Sequence, residues 1–213
     1  MKSDDNNMDI RIVLADPKEN RDELILTERA FYNVYMEGCD EHILLRDLKK
    51  AKEYIPALSF VAKDGDRLIG AIYASKAFIE KGGKKIDILT FGPLGVDPDY
   101  QRKGVGEKLV KALIDKAKKD NYPAIVITGV PTYYPHLGFK SCYKLNLKMD
   151  DGAQFPALMG YELEKGFFAK EESRFSLASV FSIKHSRKEL DTFDLCFPPL
   201  KKEKRPGQWK KID

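Results

Sequence analysis

The stretch that decides the fold is Gln101-Arg102-Lys103-Gly104-Val105-Gly106. It stands between an apolar run that ends at Val96 and an amphipathic segment from about Gly104 to Asn121. The first backbone N–H groups of a helix have no partners within it, and the helix dipole favours negative charge at that end. Glycines let a phosphate approach the backbone, and Arg102 and Lys103 add positive charge. The pattern predicts an anion cradle suited to the pyrophosphate of a nucleotide-bearing cofactor.

The helix that follows is supported by the spacing of its apolar residues. Val105, Leu109, Leu113 and Ala117 recur at helical intervals, while lysines occupy much of the opposite face. A plain strand-turn-helix unit with glycine at the helix start would produce the same short pattern, so the pattern alone is weak. No Gly-Lys-Ser/Thr follows, which excludes a Walker loop, and Leu109 stands where the dinucleotide fingerprint needs its third glycine.

The flanking residues give this stretch a family resemblance. A strand ending Val96-Asp97-Pro98 precedes it, a strand at residues 124–129 follows it, and residues 134–139 then read Tyr-Pro-His-Leu-Gly-Phe. In this order the features resemble the acetyl-CoA-binding core of the Gcn5-related N-acetyltransferases, the GNAT superfamily. Within the superfamily, their sequences are most similar to the bacterial and archaeal "predicted acetyltransferase" group. The resemblance spans roughly residues 9–164 and implies acetyl-CoA as cosubstrate.

The order of predicted elements agrees with that resemblance. Strands are expected at 10–14, 58–63, 67–80, 86–96, 124–129, 141–149 and 157–163, and helices at 19–35, 39–53 and 104–121. Asp40 is a possible cap of the second helix. The fold class is therefore α/β (α+β mixed), a GNAT-like acyl-CoA N-acyltransferase fold. It has a central twisted mixed sheet of about 6–7 strands with helices on both faces.

Three parts of the chain are distinguished. Residues 1–8 are expected to be a disordered lead, and residues 9–165 to form the GNAT acetyltransferase domain. Residues 166–213 are too rich in phenylalanine to be a plain linker, so we expect a C-terminal appendage that packs on the core. Its last part, the basic tail (residues 200–213), holds six basic and two acidic residues. Such runs are more often solvated than bound to nucleic acid, so a nucleic-acid partner is unlikely on this pattern.

A break in the sheet is predicted beside the glycine stretch. Proline at 93 and glycines at 92 and 95 interrupt an apolar run, so we expect a bulge there. Gly129 and Pro131 interrupt the next strand, and two parallel neighbours that both lose pairing would splay and expose peptide groups to pantetheine. An ordinary edge bulge is the alternative. The residues expected to bind the cofactor are Leu94, Gly95, Val96, Gln101, Arg102, Lys103, Gly104, Val105, Gly106 and Gly129.

Acetyl transfer to an amine needs a neutral amine, a stabilised oxyanion and a proton for the departing thiolate. The resemblance implies Tyr134 as the general acid, with Tyr133 as the fallback. An aromatic plug beneath the cofactor is the alternative role for Tyr134. Thr90 stands where some family members carry a glutamate base, so no base is assigned. Four residues border the region where acceptors enter in similar proteins, or are solvated helix-end charges: Glu37, Asp40, Glu41 and His42.

Composition limits the class of protein. The 213 residues carry a formal net charge of +4, and 43% are hydrophobic, which suffices for a substantial core. No apolar run is long enough to span a bilayer and no apolar signal region begins the chain, so we expect a cytoplasmic protein without membrane contact. Three cysteines and three histidines are scattered without ligand-pair spacing, so no metal site is predicted. A monomer or a homodimer is expected.

These observations lead to one main hypothesis of function. The chain is expected to be an acetyl-CoA-dependent N-acetyltransferase that acetylates a primary amine of a small molecule or peptide by direct attack on the thioester. The alternative is a non-catalytic acyl-CoA-binding sensor or regulatory module on the same scaffold. A third and weaker hypothesis is a nucleic-acid-associated protein that uses the basic tail, for which binding would depend strongly on salt.

Overall fold

A twisted mixed sheet organises the chain in the computed structural model, which describes residues 8–168 and 171–210. Residues 1–7 of the expected lead and 211–213 of the basic tail lie outside the described residues. The strands are β1 (Ile10–Leu14), β2 (Phe60–Asp64), β3 (Arg67–Lys81), β4 (Lys84–Val96), β5 (Ala124–Thr128), β6 (Lys140–Ser141), β7 (Leu147–Met149), β8 (Leu158–Glu162) and β9 (Ser173–Ser176). The helices are α1 (Arg21–Phe31), α2 (Glu41–Lys50), α3 (Val105–Lys119), α4 (Cys142–Leu145) and α5 (Arg187–Asp194).

Seven strands form a continuous path in the order β1-β2-β3-β4-β5-β8-β6. The path is antiparallel except where β4 meets β5, and β9 adds antiparallel pairing to β3 and parallel pairing to β7. The predicted α/β class with a mixed sheet is confirmed. The seven-strand path has the predicted size, and β7 and β9 extend the sheet to nine strands.

Helices cover both faces of the sheet because its central strands bury side chains on both sides. In β2, Val61 packs in the cluster that includes α1 and α2, whereas its neighbour Ala62 packs in the cluster that includes α3. The same alternation continues in β3 with Ala71 and Ile72. Period-two alternation with apolar residues on both faces therefore fixes the layer order. None of the helices within residues 8–168 and 171–210 combines the length and apolar character needed to cross a bilayer.

The first two helices are shorter than predicted. Helix α1 ends at Phe31 rather than Tyr35, because Asn33 adopts a left-handed backbone conformation (φ 59°) and accepts the N–H of Gly38 on its side chain at 2.9 Å. Asp40 precedes α2, but its side chain makes no capping hydrogen bond. Its carboxylate oxygen instead lies 2.5 Å from the ammonium nitrogen of Lys210. Asp40 therefore stands at the predicted cap position, but its carboxylate binds a distant lysine instead of the N–H groups of the helix.

The predicted strand at 141–149 is also wrong. The segment divides into β6, the one-turn helix α4 and β7. Ser141 accepts the N–H of Tyr143 on its side chain at 3.4 Å, and Asn146 ends the turn with a left-handed backbone (φ 48°). Cys142 and Leu145 are both buried, as the i and i+3 spacing of a helical turn requires.

Residues after Glu164 share the sheet with the residues before it. β3 is long enough for its first half to pair with β2 and for Phe78–Glu80 to pair with β9. Phe175 of β9 is fully buried in a cluster with Ile79 and Phe168. Further along, Val180 and Phe197 pack in the cluster that includes α1 and α2. The C-terminal residues therefore contact both the end of β3 and the α1–α2 layer.

Replacement of Phe175 tests how much β9 stabilises the fold. Phe175→Ala removes a ring that is 0% exposed and is expected to lower the free energy of unfolding by about 3–5 kcal/mol. Leu195→Ala, at a side chain that is 85% exposed, is the matched control and should change it by less than about 0.5 kcal/mol. Urea denaturation measures both values. Equal stability of the two variants would mean that β9 is not part of the cooperative core.

Candidate functional site

The loop between β4 and α3 turns sharply at the sequence-predicted glycine stretch. Gly104 precedes α3 with a left-handed backbone (φ 79°), and Arg102 shares that region (φ 61°). Before the loop, the carboxylate of Asp97 accepts the N–H of Asp99 at 3.0 Å and binds the guanidinium of Arg29 at 3.2 Å. These contacts hold the end of β4, so the start of α3 has a fixed position relative to the strand.

The start of α3 presents backbone N–H groups without acceptors. Across the part of the chain that the structure describes, the N–H groups of residues 102–107 donate no hydrogen bond, and the first one donated in this region runs from Lys108 to the carbonyl of Gly104. Arg102 and Lys103 are exposed beside them, with the Lys103 ammonium 5.2 Å from the centre of the Tyr100 ring. Free donors, the helix dipole and two cations at one place can hold an anion.

β4 and β5 lose their pairing towards this helix start, and we call the unpaired stretch between them the slot. The two strands pair only at Leu89 and Ile125, and the expected bulge in β4 is confirmed by the register shift between Phe91 and Leu94. Asp97 donates its N–H to Ile69 of β3 at 3.0 Å. Strand residues alternate in direction, so the peptide groups of Val96 and Leu94 point away from β3. They face the side where β5 no longer pairs.

Two glycines permit close packing around the slot. A Cβ at Gly95 would lie 3.0 Å from the Cβ of Ala30 and 3.3 Å from the ring of Phe31. A Cβ at Gly129 would collide with the ring of Tyr134. The N–H of Gly129 already donates to the carbonyl of Ala157 at 2.9 Å. Gly95 therefore lets α1 approach β4, and Gly129 makes room for Tyr134 without offering its own N–H.

The two sequence-predicted tyrosines face different parts of the site. Tyr134 is 9% exposed, and its ring centre lies 5.9 Å from that of Phe91 and 5.5 Å from that of Phe139. Burial raises the pKa of the Tyr134 hydroxyl, and the nearby phenols of Tyr133 and Tyr35 add to this effect. The Tyr133 hydroxyl instead lies over Gly106, where an added Cβ would be 2.7 Å from it. Tyr134 therefore holds its proton at neutral pH, and Tyr133 borders the anion cradle.

The four titratable residues that the sequence singled out at the junction of α1 and α2 lie in different surroundings. Glu37 is exposed, whereas Asp40 and Glu41 lie beside the ammonium of Lys210. His42 points inward and is fully buried. On β4, Thr90 is 2% exposed, and a hydroxyl cannot serve as a proton acceptor near neutral pH.

A buried polar cluster links this junction to α5 and was not anticipated from the sequence. The thiol sulfur of Cys39 lies 3.4 Å from His42 Nδ1, and His42 Nε2 lies 3.0 Å from Asp194 Oδ1. Burial and, to a smaller extent, the charge of Asp194 raise the pKa of Glu28 to about 7, against the opposing effect of the Lys202 charge. His42 and Asp194 are 152 residues apart in the sequence, so no local sequence pattern indicates their contact.

The same cluster contains potential metal ligands. One donor atom from each of Glu28, His42 and Asp194 lies within 4.8 Å of the others, which is compatible with a bound cation. The ammonium of Lys202, however, lies 3.0 Å from Asp194 Oδ2 and also binds Asp191. A lysine therefore already supplies positive charge to this cluster.

Comparison with known proteins places the chain among acetyltransferases. The model of the Acetyltransferase (GNAT) family matches residues 24–139, which include most of α1, the slot and both tyrosines. An uncharacterized N-acetyltransferase, YjhQ of Escherichia coli K12, is 31% identical over 100 residues, 46% of this chain and 55% of that protein. The uncharacterized N-acetyltransferase YhbS of the same strain is 29% identical over 105 residues, 49% of this chain and 60% of that protein. The chain thus spans somewhat over half the length of these relatives.

Solved structures share the fold. The crystal structure of E. coli YhbS in complex with CoA superposes with a TM-score of 0.68 at 20% identity, covering 84% of this chain and 96% of that one. A GNAT family acetyltransferase from Brucella melitensis in complex with acetyl-CoA gives a TM-score of 0.59 at 22% identity, covering 81% of this chain and 97% of that one. Both confirm the predicted GNAT-like fold.

Replacement of Glu28 tests the charge state of the buried cluster. The folded chain keeps a proton on Glu28 between pH 4.5 and about 7 that the unfolded chain releases, so the free energy of unfolding falls as the pH rises through this range. Glu28→Gln is neutral and should raise that free energy by about 1–3 kcal/mol at about pH 8, but by less than about 1 kcal/mol at about pH 5. Urea denaturation at both pH values measures this, with Glu164→Gln at an exposed turn as control. The same gain at both pH values would contradict the assignment.

Proposed function

The chain belongs to the GNAT acetyltransferase family, and on that premise we propose that it is an acetyl-CoA-dependent N-acetyltransferase. Its acceptor is a primary amine of a small molecule or peptide, which attacks the thioester directly. The observation that supports this most is the row of free N–H groups at residues 102–107, at the open end of the slot beside β4. No step of the proposed reaction requires a metal.

The proposed cosubstrate pose follows from the donors. The pyrophosphate of acetyl-CoA accepts hydrogen bonds from the amides of residues 102–107, with Arg102 and Lys103 neutralising its charge. The amide groups of the pantetheine pair with the peptide groups of Leu94 and Val96, as an added strand would, in place of the Gln101 side chain that lies 3.3 Å from the Val96 carbonyl. The thioester is beyond both amides as seen from the pyrophosphate, so it lies past Leu94 and near Phe91, whose ring centre is 5.9 Å from that of Tyr134.

The proposed reaction has one covalent exchange. The lone pair of the neutral amine attacks the thioester carbon, the C–N bond forms, and backbone N–H groups of β4 stabilise the oxyanion. The C–S bond then breaks, Tyr134 gives its proton to the thiolate, and water restores that proton. The nitrogen loses its own proton to solvent. Tyr134 is protonated before the reaction, as a general acid must be, while burial makes its phenol a weaker acid than a free tyrosine, so its contribution to the rate lies at the low end for general acid catalysis.

A second candidate function is a non-catalytic acyl-CoA sensor on the same scaffold. The observation that favours it is Thr90, which is buried on β4 where a glutamate base stands in some similar proteins. The sensor would bind CoA without turnover of any amine. A retained CoA species in mass spectrometry, followed by an acetylation screen over a panel of amines, separates the two functions.

Replacement of Gly106 tests the proposed position of the pyrophosphate. Gly106→Val projects a branched side chain over the free amides and is expected to weaken CoA binding at least about tenfold. The added side chain also meets the Tyr133 hydroxyl, so Gly106→Val with Tyr133→Phe separates that clash from the direct block. Calorimetric titration with CoA measures the affinity, and Lys119→Val, at an exposed position in the last turn of the same helix, is the control. Unchanged affinity in both Gly106 variants would refute the pose.

Replacement of Tyr134 tests the general acid. Tyr134→Phe keeps the buried ring and removes the proton, so kcat should fall about tenfold to a hundredfold while CoA affinity stays the same. Tyr133→Phe is the matched control and should leave kcat nearly unchanged. Steady-state kinetics with an identified amine at saturating acetyl-CoA gives both values. Equal kcat for wild type and Tyr134→Phe, with chemistry limiting turnover, would leave Tyr134 a packing residue.

A further inference from the structure

The basic tail is docked on the turn between α1 and α2. The Tyr32 hydroxyl donates to the carbonyl of Leu200 at 3.0 Å, and the Asn33 amide donates to the carbonyl of Lys201 at 2.8 Å. Gln208 donates to the carbonyl of Asn33 at 3.1 Å and to that of Met36 at 2.9 Å. The tail was expected to be solvated, but these contacts fix its path up to residue 210.

The end of the described tail brings a primary ammonium to two carboxylates. The N–H groups of Trp209 and Lys210 donate to the carbonyl of Tyr35 at 3.1 and 3.0 Å. The Lys210 ammonium nitrogen then lies 2.5 Å from Asp40 Oδ1 and 3.8 Å from Glu41 Oε1. The Trp209 ring packs on Tyr35, with 5.8 Å between ring centres. A lysine side chain is therefore held by two acids beside two aromatic rings.

Glu41 retains capacity for a further donor at this place. The residue is 8% exposed, and its Oε2 accepts the N–H of Asp40 at 3.2 Å. The Lys210 ammonium lies 3.8 Å from Oε1, which is an ion-pair distance but longer than a hydrogen bond. A cation placed closer to this oxygen would therefore bind the carboxylate more tightly.

Tyr35 links this ammonium to the slot. Its ring is 6.2 Å from that of Phe31, and Phe31 lies over Gly95 of β4. Burial and the charge of Glu41 raise the pKa of the Tyr35 phenol against the charge of Lys210, and that phenol adds to the effect of burial in raising the pKa of the Tyr134 hydroxyl. Contacts through Tyr35 therefore connect the Asp40–Glu41 pair with the slot and with the proposed general acid.

We infer that Asp40 and Glu41 form the subsite that binds an alkylammonium of the acceptor, of the kind carried by a lysine side chain, and that Lys210 occupies this subsite as an internal competitor. The inference rests on the proposed acetyltransferase function, whose amine substrate it makes more specific. Carboxylates supply the charge, and the rings of Tyr35 and Trp209 supply apolar contact to an alkyl chain. An incoming acceptor has to displace Lys210, and the docked tail thereby limits which amines bind.

The full-length chain carries its own reporter for this test. Trp209 is the only tryptophan, so its fluorescence reports displacement of the tail. Titration with Nα-acetyl-lysine methylamide should change the emission saturably, whereas the neutral isostere Nα-acetyl-norleucine methylamide should not. Lys210→Ala should tighten binding of the lysine analogue about three- to tenfold, because it removes the competitor. Lys201→Ala, at a side chain that is 86% exposed in the same tail, is the control and should leave binding unchanged.

A double replacement tests the carboxylates themselves. Asp40→Asn with Glu41→Gln should abolish saturable binding of the lysine analogue while calorimetry shows the same CoA affinity as wild type. Equal affinity of wild type and Lys210→Ala for the analogue would contradict the role of Lys210 as a competitor. Unimpaired binding by the double variant would contradict the role of Asp40 and Glu41 as the subsite. Neither measurement needs catalysis. If no amine in a panel is acetylated, that result would therefore contradict the proposed acetyltransferase function and would leave the inference about Asp40 and Glu41 unaffected.

Discussion

The loss of pairing between β4 and β5 is the constraint on which the rest of the site depends. β4 keeps its hydrogen bonds to β3 as far as Asp97, while its contact with β5 ends near Leu89. The bulge after Phe91 lets β4 stay paired with β3 while it separates from β5, because a bulge changes the local twist without ending the strand. The resulting gap points at the start of α3. In the proposed pose, the cosubstrate therefore meets strand peptide groups first on β4 and helix N–H groups at the start of α3.

Tight backbone packing sets the width of this path. Gly95 lets α1 approach β4, and Gly129 lets the ring of Tyr134 fill the space below β5. A larger side chain at either position would push apart the elements that define the slot. Aromatic rings then fill the remaining space beside the sheet, since Tyr134 contacts Phe91 and Phe139. The proposed acid is thus placed by packing rather than by a hydrogen bond.

Local features of the sequence predicted this half of the site and most of the fold. The glycine stretch, the bulge around residue 93 and the length of α3 each depend on neighbouring residues, so their signals survive in a short window. The strand expected at 141–149 failed because Asn146 adopts a left-handed conformation that its apolar neighbours did not reveal. The side-chain capping bond expected at Asp40 is absent for a different reason, since Lys210 lies 170 residues away in the sequence. Contacts between residues so far apart in the sequence produce no periodic pattern from which they could be predicted.

The two halves of the proposed site consequently differ in what encodes them. The cosubstrate side consists of backbone groups whose positions follow from glycine, proline and helix geometry, so any chain with that pattern can present them. The proposed acceptor side consists of side chains from the α1–α2 turn, the start of α2 and the basic tail, which meet only in the folded chain. On this proposal, changes in the tail alter the amine that binds without disturbing the cradle. A family pattern that predicts the cosubstrate is therefore silent on the acceptor for a physical reason, because the acceptor is recognised by long-range contacts.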